Sequence, residues 1–214
     1  MDNKKKNDLP KSKNTPFIKS NTGDQKKIDN DIIHCLEVLK KGGLILYPTD
    51  TIWGIGCDAT NPEAVKRIYA LKKREESQSM LILVENANRI GRHVRSIPEA
   101  AIQLIEVNDQ PMTIIYPDAL NLAENIIAPD GTAGIRITND EFCQKLISKF
   151  NKPIVSTSAN ISGEDAPQFF KEISSEIKTG VDYIVQWRQN DQTPNNPSSI
   201  IKVGLKGQIE IIRK

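Results

Sequence analysis

Four stretches of this chain carry side chains able to bind and orient a charged small molecule. They are Thr49-Asp50-Thr51, Lys72 with Arg74, Arg136 between two isoleucines, and Ser156-Thr157-Ser158-Ala159-Asn160-Ile161-Ser162-Gly163. Arginine and lysine neutralise anions, and a guanidinium can take two oxygens of one carboxylate or phosphate. Small hydroxyl and amide residues hold phosphate oxygens or an amino acid by hydrogen bonds, and backbone amides in such turns add to the cradle. Nucleophilic chemistry is not signalled. The two histidines, His34 and His93, have no metal-ligand partner at useful spacing, and nothing near them looks like an activated nucleophile.

Each stretch also has a plainer reading when taken alone. Basic residues at a helix end suit the helix dipole, and Ser/Asn/Gly runs make ordinary turns. What gives them weight is the elements that deliver them. Leu44 to Tyr47 is an apolar strand that spills into Pro48 to Thr51, followed by an aromatic and two glycines at Trp53-Gly54-Ile55-Gly56. Ligands in α/β sheets bind where strands end. Asn61-Pro62-Glu63 is a strong helix start, with a cap, a proline at the first position and an acid in the first turn. That helix turns Val65, Ile68 and Leu71 inward and ends in Lys72-Lys73-Arg74, ahead of a buried strand at Met80 to Val84. Arg136 lies in a strand over 131–137 and points to the opposite face from Ile135 and Ile137. Pro153 to Val155 is a second buried strand that runs into the hydroxyl-rich stretch.

The remaining pattern predicts a helix capped by Asp29-Asn30-Asp31 with an apolar stripe of Ile32, Ile33, Leu36 and Leu39, and Gly42-Gly43 ending it. Further helices are expected around Ala87–Val94, Pro98–Val107, Glu141–Phe150 and Pro167–Ile177. Strands are expected at Pro111–Tyr116, Tyr183–Val185, Ser199–Val203 and Gln208–Ile212. This is an α/β (α+β) alternation, and 214 residues suffice for one domain with a substantial core.

Composition sets the class. With 38% hydrophobic and 26% charged residues, the chain reads as a soluble protein. No apolar run approaches the roughly 20 residues that span a bilayer, and Met1-Asp2-Asn3-Lys4-Lys5-Lys6 is not followed by a signal-peptide core. A cytoplasmic location is expected. Cys35, Cys57 and Cys143 are odd in number and widely spaced, which fits reduced, buried thiols better than disulfides or zinc. The net charge of +2 is uneven, because residues 1–27 hold eight lysines against three aspartates. That stretch is expected to be a basic, disordered tail, and 28–214 the folded domain. No Gly-x-x-x-x-Gly-Lys-Ser/Thr loop or Gly-x-Gly-x-x-Gly fingerprint is present, so a nucleotide would bind outside the common phosphate loops.

The order of the motifs carries a resemblance. Tyr47-Pro48-Thr49-Asp50-Thr51 with Trp53-Gly54-Ile55-Gly56-Cys57-Asp58-Ala59, then Lys72-x-Arg74, then Gly134-Ile135-Arg136, then Ser156 to Gly163, resembles the YrdC-like family of threonylcarbamoyl-AMP synthases. The likeness runs from about residue 29 to the end and includes Pro197-Ser198-Ser199-Ile200-Ile201 and Ile211-Ile212-Arg213. It implies a twisted mixed sheet around a large concave cavity with flanking helices. It also implies a reaction in which L-threonine, bicarbonate or CO2 and ATP give threonylcarbamoyl-AMP and pyrophosphate, for the threonylcarbamoyl modification of tRNA by a separate transferase. The ATP residues so implied are Lys72, Arg74, Thr132, Ser156, Ser158, Asn160 and Arg213, with Lys72, Arg74, Ser158 and Asn160 closest to the chemistry. Threonine would take Thr49, Arg136, Ser158 and Ser199, and Mg2+ would accompany ATP. Trp53 replaces the more usual tyrosine of the family, Ser199 stands where threonine is common, and Gln78-Ser79-Met80 departs from a basic residue followed by Pro or Gly. Two other readings use the same residues: a non-catalytic module for tRNA or double-stranded RNA, and a carbamoyl-transfer domain with a different acceptor. Aromatics at 5% with no interleaved stacking platform weigh against the first. The lack of acylphosphatase-like or zinc-finger segments weighs against the second.

Overall fold

The computed structural model describes residues 22–76 and 78–214. The expected basic tail lies largely outside them. Where the two meet, the helix starts earlier than its sequence cap: α1 runs Thr22–Lys40. Its buried stripe is Ile28, Ile32, Cys35 and Leu39, one face of a 3.6-residue period, while Ile33 stands exposed. Asp31 is a tether and not a cap. Its buried carboxylate accepts from the Tyr183 hydroxyl at 2.6 Å and from the amides of Gln186 and Trp187 at 3.0 and 2.9 Å. A charge taken out of water needs such partners, and these three fix α1 to the β7 edge of the sheet.

Nine strands form one mixed sheet in the order β7-β1-β2-β6-β3-β5-β4-β8-β9. They are β1 (Ile45–Tyr47), β2 (Gly54–Gly56), β3 (Leu81–Val84), β4 (Met112–Tyr116), β5 (Ala133–Ile137), β6 (Ile154–Ser158), β7 (Tyr183–Ile184), β8 (Ser199–Val203) and β9 (Ile209–Arg213). Three pairings are parallel, β1 with β7, β3 with β5 and β4 with β8, and the rest are antiparallel. The short β2, absent from the sequence expectation, exists because its glycines let it pass close to its neighbours. A Cβ on Gly56 would sit 2.7 Å from the Tyr47 ring and 2.8 Å from the Val155 carbonyl oxygen.

The helices flank this sheet. α2 (Pro62–Lys72) starts as its sequence requires, with the Asn61 side chain accepting from the amides of Glu63 and Ala64 and Pro62 in the first turn. α4 (Glu141–Phe150) packs Phe142, Cys143, Leu146 and Ile147 inward and lies against α1. α3 is Glu99–Val107, and Ala101 is its buried residue. The helix expected at Pro167–Ile177 is two shorter pieces, a 3-10 turn at Phe170–Glu172 and α5 at Ser175–Gly180, because Ser174 caps a new start by accepting from the Ile177 amide. The three cysteines are buried and unbridged. Among the described residues no helix is long and apolar enough to cross a membrane.

Candidate active site

Seven of the nine strands contribute to one concave cavity of about 340 Å3. Cross-strand register determines which side chains face it. Arg136 on β5 stands opposite Thr113 on β4, Thr113 opposite Ile200 on β8, and Ile200 opposite Arg213 on β9. Opposed residues share a face, so this row brings two arginines far apart in sequence onto one floor. A second row runs Ser156, Leu81, Gly134 and Ile115 across β6, β3, β5 and β4. Period-2 alternation along β6 then puts Ser156 and Ser158 on the cavity side.

Arg136 is 3% exposed. Its Nη2 lies 3.0 Å from Asp50 Oδ1, close enough for charge pairing, yet the atoms are not aligned as a hydrogen bond. Its Nε and Nη2 therefore have no hydrogen-bond partner, while the other Asp50 oxygen accepts from the Asn139 amide at 3.2 Å. Buried donors rarely stay unused, and a guanidinium with two free N–H directions at a cavity wall is built to take an incoming oxyanion.

The Lys72-Lys73-Arg74 cluster divides. Lys73 adopts the left-handed conformation, φ 50°, that ends α2, and so sends its neighbours in different directions. Arg74 reaches the cavity wall and is braced by the carbonyls of Gln78 and Ser79 at 2.8 and 3.1 Å. The segment that departs from the family pattern thus orients this arginine. Lys72 goes behind the wall. It is 1% exposed, and its Nζ donates at 2.5 Å to the carbonyls of both Ser158 and Asn160. Burial, and then the nearby Arg74 charge, hold its pKa down at about 8.

Of the residues named from sequence, Arg74, Thr132, Arg136, Ser156, Ser158 and Arg213 line the cavity. Thr132 donates its hydroxyl to Asp130 at 2.7 Å, and Arg213 is held by the Ser198 carbonyl at 2.9 and 2.7 Å. Lys72, Asn160, Thr49 and Ser199 are not part of the lining. The Thr49 hydroxyl is taken up by Thr51 at 2.9 Å and the Ile52 carbonyl at 2.8 Å. Asn160 donates to the carbonyls of Ile161 and Glu164. Ser199 has the wrong parity: its neighbours Ser198 and Ile200 face the cavity.

Thr51, Trp53, Thr113 and Ser198 also line the wall, and none of them was assigned to ATP or threonine from sequence. Thr113 and Ser198 share a hydrogen bond at 2.8 Å. Thr51 and Trp53 belong to the stretch first singled out, and alternation from a fixed register would have marked Ser198. Among the described residues the lining includes no carboxylate, and Arg74, Arg136 and Arg213 give it a positive field.

The Sua5/YciO/YrdC family model, whose description reads telomere recombination, matches residues 37–214. The chain belongs to the Sua5/YciO/YrdC family. It is 29% identical over 184 residues to a threonylcarbamoyl-AMP synthase of Pseudoalteromonas translucida, covering 83% of this chain and 95% of the relative. A second enzyme of that name, from Halorhodospira halophila, is 30% identical over 156 residues, with 72% of this chain and 82% of the relative covered. Among solved structures, the H234A/Y235A form of P. abyssi Sua5 matches at a TM-score of 0.73 and 25% identity over 82% of this chain. This chain spans 50% of that Sua5 chain. Within the Sua5/YciO/YrdC fold, the buried guanidinium of Arg136, the arginine-rich wall and the β6 hydroxyls meet at one cavity.

Proposed function

We propose that this chain makes threonylcarbamoyl-AMP and pyrophosphate from L-threonine, bicarbonate or CO2 and ATP, in the cytoplasm, and that the product serves tRNA modification by a separate transferase. One observation carries the reading: a buried Arg136 with two unused donor atoms on a cavity wall that also bears Arg74 and Arg213. Arg136 takes the threonine carboxylate, and Thr51, in the lining of the same cavity, meets the small polar end of the amino acid. Arg74, with the hydroxyls of Ser156 and Ser158, takes the phosphates. Arg213 and Thr132 border the space left for the nucleoside. The relatives named threonylcarbamoyl-AMP synthase support this assignment.

The chemistry needs no protein nucleophile. The threonine nitrogen adds to the carbon of CO2 and loses a proton to solvent, giving a carbamate. A carbamate oxygen then bonds to the α-phosphorus of ATP as the bond from that phosphorus to the β-phosphate oxygen breaks, and pyrophosphate leaves with the electron pair. The chain contributes proximity and charge: two anions are held against each other only because arginines neutralise both. Lys72 acts through the backbone, fixing the carbonyls of Ser158 and Asn160 and hence the end of β6.

Mg2+ is proposed to travel with ATP. Among the described residues no group of three His, Cys, Asp or Glu side chains is placed to hold a metal, and the cavity lining lacks the one or two carboxylates by which proteins usually anchor this ion. The triphosphate oxygens and water would be its ligands, so it enters as part of the substrate. Mass spectrometry of a reaction containing ATP, threonine, bicarbonate and Mg2+ is expected to show threonylcarbamoyl-AMP. Its absence, with ATP cleaved regardless of threonine, would overturn the assignment.

A further inference from the structure

A second cavity, of about 360 Å3, lies at the opposite ends of β3 and β6 from the active site. Residues 80 and 81 and Ser156–Ser158 line the first cavity, whereas Val84, Glu85 and Pro153 line the second, and the two share no lining residue. Its walls come from the 3-10 turn after β3, the turn between α4 and β6, and the loop around Asn121.

Its chemistry is cationic. Arg89, Arg92 and Lys152 line it, together with the amides of Asn121 and Asn151 and the imidazole of His93. Glu85 pairs with Arg89 through the guanidinium Nε alone, and Asp58 takes Lys152 at 2.6 Å. Both cations keep further N–H groups free, since a guanidinium has five and an ammonium three. Among the described residues Arg92 makes no side-chain ion pair and is exposed. The telling group is His93. It is 7% exposed, and its Nδ1 is buried with no hydrogen-bond partner. A buried nitrogen is costly to leave unsatisfied, and the residue that carries this one lines a recess large enough for a ligand.

We propose that this recess binds a small molecule bearing a terminal phosphate, with Arg92, Arg89 and Lys152 donating to the phosphate oxygens and His93 Nδ1 meeting the phosphate at the floor. A phosphomonoester fits better than the backbone of a nucleic acid. A terminal phosphate reaches a recessed imidazole, whereas a phosphodiester, tied to sugars on both sides, stays at the rim. His93 has its pKa lowered, first by burial, against the raising effect of the Asn121 backbone, and then by the charges of Arg92 and Arg89, against a smaller raising effect of the Leu120 backbone. A bound dianion reverses that balance and favours a protonated, donating imidazole.

The test is titration of the isotope-labelled full chain with inorganic phosphate and with ribose 5-phosphate, read by NMR at the His93 ring and the Asn121, Asn151 and Lys152 amides. Saturable shifts are expected with both, and none with ribose. Arg92→Glu, a change at an exposed side chain, is expected to weaken binding about tenfold or more while leaving the remaining spectrum in place. His93→Gln is expected to lower the affinity for phosphate, and Arg136→Ala to leave these shifts unchanged, separating this site from the active site. No shift at His93, equal shifts in Arg92→Glu, or shifts produced only by a single-stranded RNA oligomer would overturn the proposal.

Discussion

Arg136 is where charge, burial and unfilled hydrogen-bonding capacity coincide, and its proposed role is a two-oxygen grip on a carboxylate. A lysine would keep the charge but present a single point of contact. Arg136→Lys is therefore expected to raise the KM for threonine by about tenfold or more, with a much smaller change in the KM for ATP, measured by initial rates at varied threonine. Lys72 makes a prediction of a different sign. Its pKa stands at about 8 against the ordinary 10.5 of lysine, so between those values the unfolded chain binds more protons than the folded one. Its contribution to stability is therefore lowest below about pH 8 and grows as pH rises toward 10.5. Activity moves the other way, because the neutral amine grips the Ser158 and Asn160 carbonyls less strongly. A fall in turnover above about pH 8 without a matching fall in melting temperature is expected, and Lys72→Met should flatten that limb.

At the scale of elements, β2 shows how a glycine lets a strand pass close to its neighbours. A methyl group on Gly56 would meet the Tyr47 ring and the Val155 carbonyl oxygen at distances real Cβ atoms do not adopt, and Tyr47 is itself fixed by a hydrogen bond to that same carbonyl at 3.1 Å. Gly56→Ala is expected to destabilise the fold by about 1–3 kcal/mol in denaturant titration, since neither neighbour is free to retreat. Much of this level was legible in sequence. The Asn61-Pro62 start of α2 and the whole of α4 follow from local signals that nothing distant overrides. The misplaced start of α1 has the opposite cause: Asp29-Asn30-Asp31 has the chemistry of a cap, but Asp31 is claimed by the amides of Gln186 and Trp187, 155 and 156 positions away. Strand parity limited the site in the same way. Ser198 and Ser199 are indistinguishable as residue types, and only the pairing of β8 with β4 decides which faces the cavity.

The sheet brings residues from seven strands to one concave surface, whose lining among the described residues includes no carboxylate. The motif order in the sequence pointed to the family and to ten site residues, six of which line this cavity. The split between Lys72 and Arg74 was not legible, because it depends on the single left-handed residue Lys73 between them. What unites these observations is a site that works by holding two anions together. The most direct measurement is pyrophosphate release from ATP in the presence of bicarbonate and Mg2+, with and without L-threonine. Release that depends on threonine, and that falls to background in Arg136→Ala while the variant keeps the native fold, is the predicted result; release independent of threonine, or undiminished in Arg136→Ala, would contradict it.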